Sequence, residues 1–195
     1  MKQDGAKNSS VKSKRQNDSC KNFQFLELPK FHGGEILIEK SLVIIKPDGV
    51  ERGLIGEIIK RFENTGLKIL GIKMVWIDKK FAETHYSAHK TKPFFRELVE
   101  FITEGPVVAF AVEGVHAVDN ARRLVGDTSP HEAAPGTIRG DFAHISMDYA
   151  SRKKSGGKNV IHASGSKQEA DAEIKLWFKK DELHSYKTVH EKHVF

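Results

Sequence analysis

Apolar and polar positions along this chain follow two periods. Ser41-Leu42-Val43-Ile44-Ile45 is a continuous apolar run, which predicts a buried central strand. Lys46-Pro47-Asp48-Gly49 then predicts a turn. Leu54, Ile55, Ile58, Ile59 and Phe62 recur at helical spacing, and Asn64-Thr65-Gly66 closes that helix with a C-cap glycine. A second strand is expected over 67–76, with short helical segments around 81–88 and 94–104. The breaker Gly105-Pro106 precedes a third strand over 107–112. Ala117, Val118, Ala121, Leu124 and Val125 mark another amphipathic helix, and a loop punctuated by Gly and Pro covers 126–141. A strand ending near His162 and a helix over 167–178, with Ala170, Ile174, Trp177 and Phe178 on one face, complete the pattern. The order β-α-β-β-α-β predicts an α/β (α+β) fold. We expect a ferredoxin-like sandwich, a four-stranded antiparallel sheet covered by helices.

The last strand carries the most suggestive chemistry. In Asn159-Val160-Ile161-His162-Ala163-Ser164-Gly165-Ser166, β-branched residues lead into a histidine and small residues follow it. Ser166 reads as a helix N-cap, with Glu169 completing a capping box. A histidine just before a helix N-terminus suits chemistry on an anion, and an imidazole nitrogen can carry a covalent group. Lys46, Arg122, Thr128, Arg139 and Asn159 lie on separate segments. Each alone reads as an ordinary turn, loop or surface residue. Together they form a set able to hold a polyphosphate while one phosphoryl group moves.

Composition narrows the class. The 195 residues suffice for one domain with a tail, and 30% charged with 38% hydrophobic residues is ordinary for a globular protein. No apolar run approaches the roughly 20 residues of a membrane span, so no membrane association is expected. The single cysteine, Cys20, agrees with a reducing, cytoplasmic setting. Net charge is +6, and residues 1–34 carry +4 of it, so the basicity says little about the folded part. Low apolar content over 1–22 predicts disorder, and we expect 1–34 to be a flexible basic extension ahead of a domain over 35–195.

Several segments resemble the nucleoside diphosphate kinase family. They are Ile45-Lys46-Pro47-Asp48-Gly49-Val50, His85-Tyr86, Lys92-Pro93-Phe94-Phe95, Gly105-Pro106-Val107-Val108, Pro135-Gly136-Thr137-Ile138-Arg139-Gly140-Asp141 and Asn159-Val160-Ile161-His162. They cover roughly 40–185 in the family's order. The resemblance implies that His162 takes a phosphate from a nucleoside triphosphate, usually ATP, and passes it to a different diphosphate. Lys46, Arg122, Thr128 and Arg139 would hold phosphates, and Asn159 with Lys46 the ribose hydroxyls. Phe94 would stack on the base, which selects no base because every base has a π-face. Tyr86 and Glu173 would shape the pocket around His162, and His89 matches a phosphate-contacting histidine of part of the family. Mg²⁺ would arrive with the nucleotide, with no protein metal ligand. The resemblance also implies a homohexamer, a trimer of dimers, with the loop of Arg139 at a trimer contact.

Two departures stand out. The family usually has His-Gly-Ser-Asp where this chain has His162-Ala163-Ser164-Gly165, so an acidic side chain near the phosphates is missing. Residues 149–158 also resemble an insertion, basic and expected to be a solvated loop. Two alternatives stand beside the kinase: a catalytically silent scaffold and a nucleic-acid-binding protein. The intact His162, Lys46, Arg122 and Arg139 argue against the first. The missing aromatic strand signature of the RNA-recognition module argues against the second, so no specific nucleic acid is expected.

Overall fold

The computed structural model describes residues 38–189 and 191–194. The basic extension expected over 1–34 lies outside them. Strand β1 (Ile38–Ile45) is the central element. Its last five residues, Ser41 to Ile45, are fully buried, because helices cover both faces of the sheet. That double burial explains a run that is apolar at consecutive positions instead of alternate ones.

The helix α1 (Pro47–Glu51) follows, with Pro47 at its first turn, where a missing N–H costs nothing. This corrects the turn expected at 46–49. Next come α2 (Ile55–Asn64), closed by Gly66 at φ 79°, and β2 (Lys68–Val75). The helices α3 (Lys79–His85) and α4 (Phe95–Ile102) flank a 3₁₀ turn at Ser87–His89. Strand β3 (Val107–Val115) runs three residues beyond the expected end, and α5 (Ala117–Val125) follows it. The loop expected over 126–141 holds a 3₁₀ turn at Pro130–Glu132 and α6 (Ile138–Phe142), capped by the Thr137 hydroxyl. Then come α7 (Met147–Arg152), β4 (Ile161–Ala163), α8 (Lys167–Trp177) and the short α9 (Glu191–Val194).

The sheet order is β2-β3-β1-β4, and every neighbouring pair is antiparallel, as the ferredoxin-like reading requires. One core lies between the sheet and α3, α4 and α8, built on Leu42, Ile44, Ile102 and Trp177. The other lies between the sheet and α2 and α5, where Phe62 meets Phe110 edge-on at 5.1 Å. No helix among the described residues is long and apolar enough to cross a membrane.

Candidate active site

Strand β4 pairs with the last three residues of β1, and His162 stands opposite Ile44. The chain enters β4 through a strained residue. Val160 has φ 70°, a conformation costly for a β-branched side chain, so it is not part of the strand as the sequence implied. Three contacts hold it. Lys46 N donates to Val160 O at 2.9 Å, Val160 N donates to Asp48 Oδ2 at 3.0 Å, and Gly49 leaves room where a Cβ would stand 3.0 Å from Val160 O. The Asp48-Gly49 pair, which reads as a turn in sequence, is a clamp on the histidine strand. Asp48→Ala leaves the buried Val160 N–H unpaired and will cost about 1–3 kcal/mol. Thermal unfolding will show a lower midpoint, with Asp48→Asn recovering most of the loss because its amide oxygen still accepts.

The His162 imidazole is held from α8. Its Nε2 lies 2.9 Å from Glu173 Oε1, and Ser164 Oγ donates to Glu173 Oε2 at 2.6 Å. Burial opposes the Glu173 charge, but the bonds from His162 and Ser164 and the field of His85 outweigh it and lower its pKa. An ionised Glu173 accepts, so Nε2 carries the proton and Nδ1 keeps its lone pair. Nδ1 has no hydrogen-bond partner among the described residues.

His85, to which the sequence reading gave no role, packs edge-on to His162 with ring centroids 4.9 Å apart. Its side chain is fully buried, and its Nδ1 accepts from the Trp177 indole at 3.2 Å. Burial, then the neighbouring His162, pull its pKa down to about 3, so it stays neutral beside the His162 ring. His85, His162 and Glu173 have ligand atoms within 4.8 Å of one another, but the bonds to Trp177 and between His162 and Glu173 already engage them. The only sequence signal for His85 was its place beside Tyr86. Tyr86 is buried, its hydroxyl has no partner among the described residues, and burial raises its pKa.

All ten expected site residues line one cavity of about 860 Å³. Lys46 is buried, and its Nζ donates to Asn159 Oδ1 at 2.6 Å. Burial, then Arg139, lower its pKa to about 7. Asn159 Nδ2 donates to Thr128 O at 2.8 Å, which ties the Thr128 loop to the histidine segment. Arg139 is on α6, not in the expected loop, and is buried. Its guanidinium donates to the carbonyls of Gly126, Asp127, Asn159 and Ile161. Four of five N–H groups are thus engaged and one Nη2 N–H remains. Burial, then Arg122, lower its pKa to about 10, so it remains a cation at neutral pH. Arg122 projects from α5 and is exposed, as are Thr128 and His89. Phe94 is 44% exposed at the start of α4.

The segment expected as a solvated loop contributes Ala150, Ser151, Gly156 and Gly157 to the cavity lining. Met147, Asp148, Ala150 and Ser151 of α7 line the cavity, as do Phe94 and Leu98 of the α4 region. Ala150 is buried, and Gly156, at φ 66°, lies against Phe101 and the Glu97 carbonyl, where a side chain does not fit. Lys153 and Lys154 are exposed, and Lys158 pairs with Glu104 at 3.7 Å.

The nucleoside diphosphate kinase family model matches residues 39–183. A nucleoside diphosphate kinase of Pyrococcus furiosus is 54% identical over 149 residues, covering 76% of this chain and 88% of the relative. The chain belongs to the nucleoside diphosphate kinase family. A Macrococcus caseolyticus member is 53% identical over 78% of this chain and 96% of its own. Among solved structures, a transition-state mimic of the Borrelia burgdorferi nucleoside diphosphate kinase with bound vanadate and ADP superposes with TM-score 0.79. It is 42% identical over 81% of this chain and 97% of that one. The Halobacterium salinarum nucleoside diphosphate kinase in complex with CDP gives TM-score 0.73 at 43% identity, over 82% and 99%. The nucleoside diphosphate kinase family is one of enzymes, so the catalytic reading stands over the scaffold and nucleic-acid alternatives.

Proposed function

We propose that His162 carries the phosphate in transit as this enzyme moves the terminal phosphate of ATP to another nucleoside diphosphate, maintaining GTP, CTP, UTP and their deoxy forms. The observation that carries this reading is the His162–Glu173 bond at 2.9 Å, which leaves Nδ1 free beside a cationic cavity. Nδ1 attacks the terminal phosphorus, the bond to the bridging oxygen breaks, and the diphosphate leaves. A second diphosphate then takes the group by the reverse step. Glu173 balances the positive charge that the ring gains. Lys46, Arg122, Thr128 and the free N–H of Arg139 bind the phosphates, with His89 at their edge. Asn159 and Lys46 take the ribose, Phe94 the base, and Tyr86 excludes water around the ring. Substrates meet one site in turn, so initial rates with ATP and GDP should give parallel double-reciprocal lines; intersecting lines contradict the covalent step.

The residues present fit a magnesium-bound nucleotide. The cavity offers donors for phosphate oxygens, and among the described residues the grouping with metal-ligand spacing, His85, His162 and Glu173, is already engaged by its own hydrogen bonds, so Mg²⁺ would arrive held mainly by the phosphates and water. It would supply charge neutralisation at the phosphates.

Lys46 gives a pH signature. The free enzyme loses the Lys46 proton as pH rises through about 7, and a bound diphosphate restores it. At pH 8 a nucleoside diphosphate is itself fully ionised, so its binding will take up close to one proton. Calorimetry in buffers of differing ionisation enthalpy will measure it, and zero uptake contradicts the assignment.

The kinase domain is assigned to 35–195, and 1–34 is read as an appended basic extension. The assembly is read as a homohexamer, a trimer of dimers. In support, the edge strand β2 and the residue after it bare Ile72, Met74 and Trp76, an apolar strip suited to another copy. A cytoplasmic setting agrees with the single cysteine.

A further inference from the structure

Lys46, Arg122 and Arg139 suit the cavity to anions, yet carboxylates line it too, Glu169 and Glu173 among them. Glu173 is bound to His162 and Ser164. Glu169 is not used by the reaction derived above. It lies in the first turn of α8 and is exposed, and its Oε2 accepts the Gly165 N–H at 2.9 Å. The capping box expected in sequence would have turned it to the Ser166 N–H instead. The carboxylate therefore leans one residue further toward the cavity.

Gly165 makes this possible. A Cβ on residue 165 would stand 2.7 Å from Glu169 Oε2 and 3.6 Å from Arg122 Nη1. The carboxylate thus fills the space a side chain at 165 would claim, on the side of Arg122. An exposed carboxylate there repels a bare diphosphate. It also occupies the Gly165 N–H, a donor that a phosphate oxygen could otherwise use. The repulsion turns to attraction when a divalent cation comes between, because water on a magnesium ion donates to carboxylates.

Resting on the nucleotide reading above, we propose that Glu169 is the side chain that receives the metal ion arriving with the nucleotide, accepting hydrogen bonds from its water. Glu169 is what makes the cavity prefer the magnesium complex over free nucleotide. Gly165 and Glu169 act as a pair, one vacating the space that the other's carboxylate enters.

The test is calorimetric titration of ADP into the full chain, with excess Mg²⁺ and again with EDTA. The wild type will bind ADP more tightly with Mg²⁺. Glu169→Gln keeps an amide oxygen for the Gly165 N–H, so the helix end stays capped. In this variant metal-free ADP will bind more tightly, and the ratio of the two affinities will fall by roughly five- to tenfold. The double variant Gly165→Asp with Glu169→Ser returns a carboxylate to the same corner from the loop side and will recover the ratio. An unchanged ratio in Glu169→Gln makes Glu169 a helix cap only and overturns the proposal. If the wild type binds ADP in neither condition, the nucleotide reading of the cavity falls first, and the role of Glu169 falls with it.

Discussion

Replacing His162 by alanine will reduce phosphate transfer from ATP to GDP by at least about 10⁴-fold and leave the fold intact. Removing a covalent nucleophile has effects of this size or larger in other enzymes. Nothing nearby can stand in for it. His85 is the nearest imidazole, but it is sealed in the core, and its Nδ1 already accepts the Trp177 N–H. His89 also lines the cavity, yet its ring packs near Tyr86 and Phe94, with centroids 6.4 Å and 5.9 Å away. The fold survives because His162 is a partly exposed residue of a three-residue strand, and its backbone pairing with β1 does not need the ring. Circular dichroism and thermal unfolding will therefore match the wild type while turnover disappears. Loss of activity with loss of fold would point to a structural role.

Arg139→Ala will damage both stability and activity. Three guanidinium nitrogens bind four carbonyls drawn from the Thr128 loop and from the segment entering β4. Alanine leaves those carbonyls buried without donors, at a cost of about 3–5 kcal/mol. For a chain of this length that lowers the unfolding midpoint on the order of 10 °C. The same change loosens Asn159 and the strand of His162, so kcat/KM will fall on the order of 10²–10³ even at temperatures where the variant is folded. Arg139→Lys keeps a charge but cannot fork to four acceptors, and it will rescue little of either property. If alanine at 139 raised KM alone and left the unfolding midpoint in place, Arg139 would be a phosphate ligand and no more.

The sheet was legible in the sequence because its central strand is packed on both faces, so Leu42 to Ile45 announce themselves as an unbroken apolar run. The helices were legible where one face meets a core, as with Ile58 and Phe62 or Ala121 and Val125. The chain's distant phosphate-binding candidates could be gathered by residue type and given separate roles by resemblance to a family, but spacing alone cannot bring Lys46 and Asn159 within 2.6 Å. What sequence missed shares one cause. Val160 looks like a strand residue, but a clamp from Asp48 and Gly49 forces a positive φ. Arg139 looks like a loop charge, but its work is on carbonyls that only the fold brings to it. His85 carries no role in sequence beyond its place beside Tyr86, but Trp177, ninety-two residues away, shares its ring nitrogen. The basic stretch 149–158 looks solvated, yet Ala150 and Gly156 anchor it as a cavity wall. In each case a long-range contact overrides a local pattern.

The most direct measurement is incubation of the purified full chain with γ-labelled ATP and no acceptor. One acid-labile, base-stable label per chain, mapped to His162 and discharged into labelled GTP by added GDP, is the expected result. Absence of label, or label on any other residue, would contradict the account.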